Sequence, residues 1–365
     1  MSLVDEILAS TLKPSELKKF EGRIQVASQI KGSRIHLPTG NVSLDYASLG
    51  GFPMNGVSCV WGREAAGKTE TVMRAVAQAQ RLMPDRAAVW ADPENSFDEN
   101  YARDTFGIDL ERLILLRDME GEEIAEEFPK FIKGQKISIG VIDSIPMIVP
   151  HREIERDLSD TNAQMGALAN VLKPFLLRCN SHLAAHKAVG HLGPALVMVN
   201  QQRDKALQGG KTKAEYPGGE LQKFIYSFDV RILSKTELES GALGEQNVEF
   251  THHEFVVRKS KLGNSERAGE YTVARGGARA AAIGAGRVDD SDTLLSLAAL
   301  EGVYGRVKGG WGFAGTATVF EKKADGVAAL DQDPLLKDQV LYRTIAAKRA
   351  KIGMKTSGWH VAENL

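Results

Sequence analysis

Short, largely apolar runs recur through the middle of the chain, at residues 57–61, 87–91, 138–142, 195–199, 228–233 and 254–258. Each has strand length and gives way to polar residues or glycine, and amphipathic stretches lie between several of them. Over 68–83, Val72, Ala75, Val76, Ala79 and Leu82 fall on one face of a predicted helix. Strands alternating with helices predict an α/β core over 34–275 built on a largely parallel central sheet. Ahead of it, Leu3, Ile7 and Leu8, then Leu17, Phe20, Ile24 and Ala27, recur at helical spacing around Pro14. This predicts a short helical arm over 1–33 that needs a partner surface to bury its apolar face. Residues 276–286 are rich in glycine and alanine and predict a linker, and 287–365 a small α+β C-terminal domain. No repeat of solenoid period is present.

Composition narrows the class. At 365 residues, with 43% hydrophobic and 25% charged side chains, the sequence reads as a soluble globular protein. No run approaches the about 18 apolar residues of a membrane helix, and residues 1–6 lack the basic-then-apolar order of a secretory signal. A cytoplasmic location without membrane contact is therefore expected. Cys59 and Cys179 have no metal-type spacing and read as packing residues in a reducing compartment. A formal net charge of −1 gives no global attraction to nucleic acid, so any such binding must come from local basic patches.

The chemistry centres on Gly62, Arg63, Glu64, Ala65, Ala66, Gly67, Lys68 and Thr69, which fit G-x-x-x-x-G-K-[ST] between a predicted strand and a predicted helix. In such a loop, glycines let backbone N–H groups turn inward around phosphates. Lys68 would reach the β and γ phosphates, and the Thr69 hydroxyl would ligate Mg2+. The helix N-terminus adds a positive dipole. Hydrolysis also needs a metal-side carboxylate and a group to orient water. The run at 87–91 ends in Asp92, Pro93 and Glu94, and that at 138–142 ends in Asp143 and Ser144. Parallel strands deliver these ends to one sheet edge, which makes Asp143 the candidate metal carboxylate and Glu94 the candidate for polarising water. The run at 195–199 ends in Asn200 and Gln201, and Gln201 could sense a γ-phosphate. Residues 202–217 then form a polar stretch with Arg203, Lys205, Lys211 and Lys213. It suits either a mobile phosphate-backbone contact or an ordinary solvated loop.

Taken in order, these motifs resemble the RecA recombinase family over about 35–275. The match includes Thr39-Gly40, Ser43-Leu44-Asp45, Gly51-Phe52-Pro53-Met54-Asn55-Gly56, the phosphate loop, Asn100-Tyr101-Ala102-Arg103, Val141-Ile142-Asp143-Ser144, Asn200-Gln201, Pro217-Gly218-Gly219 and Lys223-Phe224. The resemblance implies a RecA-like ATPase core that polymerises on single-stranded DNA with ATP and Mg2+, pairs it with homologous duplex and exchanges strands. It gives Glu94 the water-activating role, and places Tyr101 on adenine with Asp98 and Glu70 in the same nucleotide pocket. Gln201 would couple γ-phosphate to DNA, and Lys259 and Lys261 would reach the ATP of a neighbouring subunit. Phe224 would lie at the subunit interface. It also implies a self-assembled head-to-tail filament, with a single-strand-binding protein and mediators as further partners.

The same resemblance places a first DNA loop at about 150–165, with Arg152 and Arg156, followed by Met165, Gly166 and Lys173. The second would be 202–217, with Gly218 and Gly219 after it. Several positions depart from the family pattern. Asn170 and Leu177 stand where arginine is frequent, and Gly210 where an aromatic is frequent, leaving Tyr216 as the nearby ring. Gly309-Gly310-Trp311-Gly312-Phe313 resembles a turn of the family's C-terminal region. The family's acidic tail has no counterpart. Residues 341–358 instead carry Arg343, Lys348, Arg349, Lys351 and Lys355 without an acid, which suits either duplex DNA or a solvated helix face. This divergence points toward a phage-encoded, UvsX-like member acting in an infected bacterial cell. Two other readings stay open: a regulatory paralogue or mediator that binds ATP without exchanging strands, and a RecA-like ring helicase.

Overall fold

The computed structural model describes residues 6–7, 10–19, 35–148, 150, 167–206, 212–240, 247–262 and 267–361. A short helix α1 (Pro14–Lys19) precedes β1 (His36–Leu37), α2 (Val42–Ser48), β2 (Phe52–Pro53) and β3 (Gly56–Gly62). Next come α3 (Lys68–Leu82), β4 (Ala87–Ala91), α4 (Glu99–Phe106), β5 (Leu113–Leu116), α5 (Gly121–Lys133) and β6 (Ile137–Ile142). The chain continues through α6 (Ala167–Ala188), β7 (Ala195–Gln201), β8 (Arg203–Ala206), β9 (Thr212–Glu215), α7 (Leu221–Ile225), β10 (Phe228–Ser240), β11 (Asn247–Ser260) and β12 (Arg267–Ala274). It closes with α8 (Gly277–Ile283), α9 (Ser291–Leu300), β13 (Tyr304–Val307), β14 (Gly310–Phe313), β15 (Val319–Phe320), α10 (Lys323–Gln332) and α11 (Pro334–Lys351).

Eight strands form the central sheet in the order β12-β11-β10-β3-β7-β6-β4-β5. The pairs from β10 through β3, β7, β6 and β4 to β5 are parallel, and β11 and β12 extend the sheet antiparallel. Both faces are covered, so the parallel strands are apolar throughout. On β3, β4 and β7 the alternate residues Val60, Ala88, Trp90, Val197 and Val199 face the core under α3. Their neighbours Val57, Cys59, Trp61, Val89, Leu196 and Met198 face the second core, under α5 and α6. The predicted α3 face is buried at Val72, Ala75, Val76 and Ala79, with Leu82 packed at its border.

A third core joins Leu294, Leu295, Ala298, Val303, Tyr304, Phe313, Leu330 and Val340 with Val42 of α2. The glycine-rich stretch expected as a linker contains α8. Arg279 ties that helix to the C-terminal region, donating to Asp289 and, at 2.6 Å, to Asp331. Most of the predicted N-terminal arm and the first predicted DNA loop, including Arg152, Arg156, Met165 and Gly166, lie outside the described residues, as does Lys211 of the second.

Candidate functional site

Strand register assembles the site. Gly62 at the end of β3 pairs with Gln201 on β7, and Ala91 on β4 with Ile142 on β6, so Asp92, Asp143 and Gln201 leave the sheet at the same edge as the phosphate loop. Gly62 is required by packing, because a Cβ there would lie 2.3 Å from the Ile232 carbonyl oxygen of β10. Gly67 adopts φ +92° at the N-cap of α3, and a Cβ there would come within 2.8 Å of the His253 ring. Arg63 and Glu64 at the loop's outer side are exposed, and Ala66 is buried.

The Lys68 ammonium donates to the Arg63 carbonyl across the loop at 2.7 Å. Burial lowers its pKa, and the negative charges of Asp143, Glu94 and Glu64 oppose that shift. The Thr69 hydroxyl donates to Asp143 Oδ2 at 2.6 Å. Burial raises the Asp143 carboxyl to about 7, with Glu94 adding to the rise and the Thr69 hydrogen bond and Lys68 opposing it. The Asp143–Ser144 peptide is cis. A hydroxyl and a carboxylate side by side are hard oxygen donors of the kind Mg2+ takes alongside phosphate and water, so these residues fit that ion. Glu94 accepts from the Ser144 hydroxyl, and the Gln201 amide nitrogen lies 3.5 Å from the same carboxylate oxygen. Lys68, Thr69, Asp143, Glu94 and Gln201 therefore line one short stretch of the sheet edge.

Tyr101 sits on the other side of the loop. Asp98 caps α4 by accepting from the Tyr101 N–H at 2.8 Å, so its carboxylate fixes the backbone that carries the ring. The Tyr101 hydroxyl donates to Glu70 at 3.0 Å. Glu70 also accepts from Arg74 at 3.0 Å and Arg275 at 2.7 Å. Burial alone would raise the Glu70 pKa, but the Arg275 hydrogen bond and the two guanidinium charges outweigh it and hold the carboxyl near about 2.

Lys259 and Lys261 are not part of this cluster. Asp229 pairs with Lys259 on one side and with Cys59 on the other, three residues before Gly62, which puts Lys259 about 10 Å down the strands from the phosphate loop. The Lys259 ammonium donates to the Lys223 carbonyl on α7, and burial together with Lys261 lowers its pKa. Phe224, on the same helix, is 75% exposed. These three residues share the sheet edge opposite the phosphate loop.

The family described as the RecA N-terminal domain matches residues 7–274. The chain belongs to the RecA family. It is similar to Protein RecA of Picosynechococcus sp., with 27% identity over 312 residues, 86% of this chain and 82% of the relative. Protein RecA of Chloroherpeton thalassium is 26% identical over 324 residues, covering 88% and 82%. Protein RecA of Saccharopolyspora erythraea is 29% identical over 278 residues, covering 75% and 72%.

In this RecA-family chain the described part of the second predicted DNA loop is a short hairpin of β8 and β9, where the sequence predicts only a polar loop. Arg203, Lys205 and Lys213 are exposed on it, and Lys213 pairs with Glu215 at 2.9 Å. Its far end is anchored to the phosphate-loop edge: Asn200 donates to the Pro217 carbonyl at 3.1 Å, next to Gln201. Gly218 and Gly219 come next, with φ +109° and +86°. Tyr216, the nearby ring, is not displayed outward; it packs against Trp61 and donates to Asp229 at 2.9 Å. Lys173 is exposed on α6.

Several of the C-terminal basic residues make contacts within the protein, though Lys351 and Lys355 stay exposed. Arg349 is 1% exposed and donates to the Leu49 and Lys355 carbonyls. Lys348 lies 3.3 Å from the Tyr46 ring centroid, Lys351 pairs with Glu301, and Arg343 donates to the Ala314 carbonyl. Among the described residues no helix is long and apolar enough to cross a membrane.

Sequence reasoning passed over Arg275 and His253. Arg275 leaves at the phosphate-loop edge because β12 runs parallel to β3 and ends at Ala274, a placement set by strand pairing rather than by any local motif. His253 is a buried histidine within a strand of mixed polar and apolar residues, which no motif marks.

Proposed function

We propose that this protein is an ATP-dependent recombinase. It assembles head to tail on single-stranded DNA in the cytoplasm, pairs that strand with homologous duplex and exchanges strands, hydrolysing ATP with Mg2+ in a DNA-stimulated reaction. The observation that carries this reading is the position of Glu94 between Ser144 and Gln201, facing the Lys68, Thr69 and Asp143 cluster. A carboxylate there can orient water toward a γ-phosphate, while Gln201 lies one residue from the anchor of the second loop at Asn200. Loss of the γ-phosphate would thus be felt at the base of a cationic hairpin.

Lys68 would neutralise phosphate charge, and Thr69 with Asp143 would hold Mg2+, which supplies charge neutralisation at the transferring phosphoryl group. Tyr101 would stack on adenine. Lys259 and Lys261, on the opposite edge with Phe224, would serve the ATP of the adjacent subunit, and contacts between unlike edges that do not close generate a helical filament. Residues 1–33 would act as the oligomerisation arm and 287–365 as an accessory domain.

The direct test is strand exchange between a single-stranded circle and homologous linear duplex with ATP and Mg2+. Joint molecules should form, and Lys259→Ala with Lys261→Ala should retain ATP binding yet lose single-strand-stimulated hydrolysis by at least about tenfold. Tight ATP binding without joint molecules would identify a regulatory paralogue. Normal turnover in the double variant would refute the trans assignment.

A further inference from the structure

Two antiparallel strands, β11 and β12, place an unbroken hydrogen-bond chain behind the phosphate loop. Its direction is set by which atoms can donate. The Ala66 carbonyl can only accept, so the His253 nitrogen 2.9 Å away, Nδ1, must carry hydrogen and donate to it. His253 Nε2 is then an acceptor, and the Thr251 hydroxyl, 3.1 Å distant, must donate to it. The Thr251 oxygen in turn accepts from Arg275 Nε at 2.9 Å. Arg275 uses another nitrogen, Nη2, to donate to Glu70 at 2.7 Å, and Glu70 accepts from the Tyr101 hydroxyl. A single tautomer of His253 satisfies each of these bonds.

His253 has no exposed surface and stacks on Tyr271 with ring centroids 4.8 Å apart and planes 9° from parallel. Its imidazole cannot swing away without breaking that stack, and it fills the space beside Gly67 that a side chain would occupy. The chain therefore joins two places a nucleotide must touch. One end is the Ala66 carbonyl within the phosphate loop, and the other is the Tyr101 ring with the Glu70 carboxylate next to Thr69. Glu70 is itself a liability at this position, since an unpaired carboxylate in the first turn of α3 would repel a triphosphate. Arg275 and Arg74 neutralise it.

We infer that Arg275, Thr251 and His253 are nucleotide-positioning residues, coupling the wall that receives the adenine to the loop that receives the phosphates of an adenosine triphosphate. This rests on the proposed ATP binding and adds residues that no part of that proposal uses. Binding at either end would favour the same arrangement of the other, because the Arg275 guanidinium bridges Glu70 and Thr251, and its bond to Thr251 obliges that hydroxyl to donate to His253.

The test is a double-mutant cycle on the full chain, with dissociation constants read from a fluorescent N-methylanthraniloyl ATP. Arg275→Ala should weaken binding about tenfold, because Glu70 loses a charged donor. His253→Leu should weaken it about fivefold through the freed Ala66 carbonyl. The double variant should be no weaker than about twofold beyond the worse single, since cutting a chain twice costs little more than cutting it once. His253→Asn, which keeps a donor for Ala66, should recover most of the loss, and the effect of Arg275→Ala on turnover should fall mainly on KM. If His253→Leu does not fold, Thr251→Val breaks the same chain without changing shape. Unchanged affinity in Arg275→Ala, or losses that multiply in the double variant, would overturn the coupling. Should the wild type bind the probe no better than Lys68→Ala, the proposed ATP binding itself falls, an outcome distinct from wild-type binding with an inert Arg275.

Discussion

Two buried titratable residues set opposite pH slopes. Burial holds the His253 imidazole down to about 4 from its ordinary 6.5, partly offset by its hydrogen bond to Ala66. The unfolded chain takes up that proton near 6.5 and the folded chain does not, so this group costs stability as pH falls from 6.5 toward about 4. Asp45 behaves the other way. Burial raises it from 3.8 to about 7 despite hydrogen bonds from the Thr39 N–H and hydroxyl, and Asp290 and Asp338 add to the rise. The unfolded chain ionises at 3.8, so the Asp45 contribution is fully present below that value and is lost as pH rises through about 7. Asp45→Asn should accordingly gain stability relative to wild type as pH rises from about 4 to about 7, measured by urea unfolding. A difference that stays constant over that range would contradict a raised carboxyl.

At the scale of elements, much of the core was legible because the physics is local. Strands buried on both faces must be apolar, and the runs at 57–61, 87–91, 138–142 and 195–199 all lie within parallel strands of the central sheet. The site was legible for the same reason: carboxylates and amides that come directly after such strands arrive at one edge. Strand β5 escaped because Leu113–Leu116 is only four residues long, behind a short 3-10 turn. Helix α8 escaped because alanine and glycine give no apolar periodicity to read. Helix α11 carries one basic residue whose role composition does not reveal. Its basic residues suited a nucleic-acid face, yet the guanidinium of Arg349 lies under the Trp359 ring at 4.9 Å and secures the loop after α2 through the Leu49 carbonyl. Arg349→Ala should destabilise the fold by about 2–4 kcal/mol, because it strands two carbonyls and removes a stacked side chain. Thermal or urea unfolding that matches wild type would show that α11 docks without it.

At the scale of the whole molecule, the sheet has two edges of different character. One carries the phosphate loop, Glu94, Asp143 and Gln201. The other carries Lys259, Lys261 and the exposed Phe224. In the proposed filament these unlike edges would meet head to tail, and such contacts generate an open helix when the rotation between copies does not return to the start. Under the proposed function, the anchoring of the β8–β9 hairpin beside Gln201 would make ATP and DNA ligands of one state, so each should promote the other. The decisive experiment is ATP hydrolysis with and without single-stranded DNA, with Lys68→Ala alongside at matched salt. Strong stimulation by single strands, lost in Lys68→Ala, is the expected result. Turnover that is flat with respect to DNA in a protein that binds ATP would contradict the coupling of the two ligands.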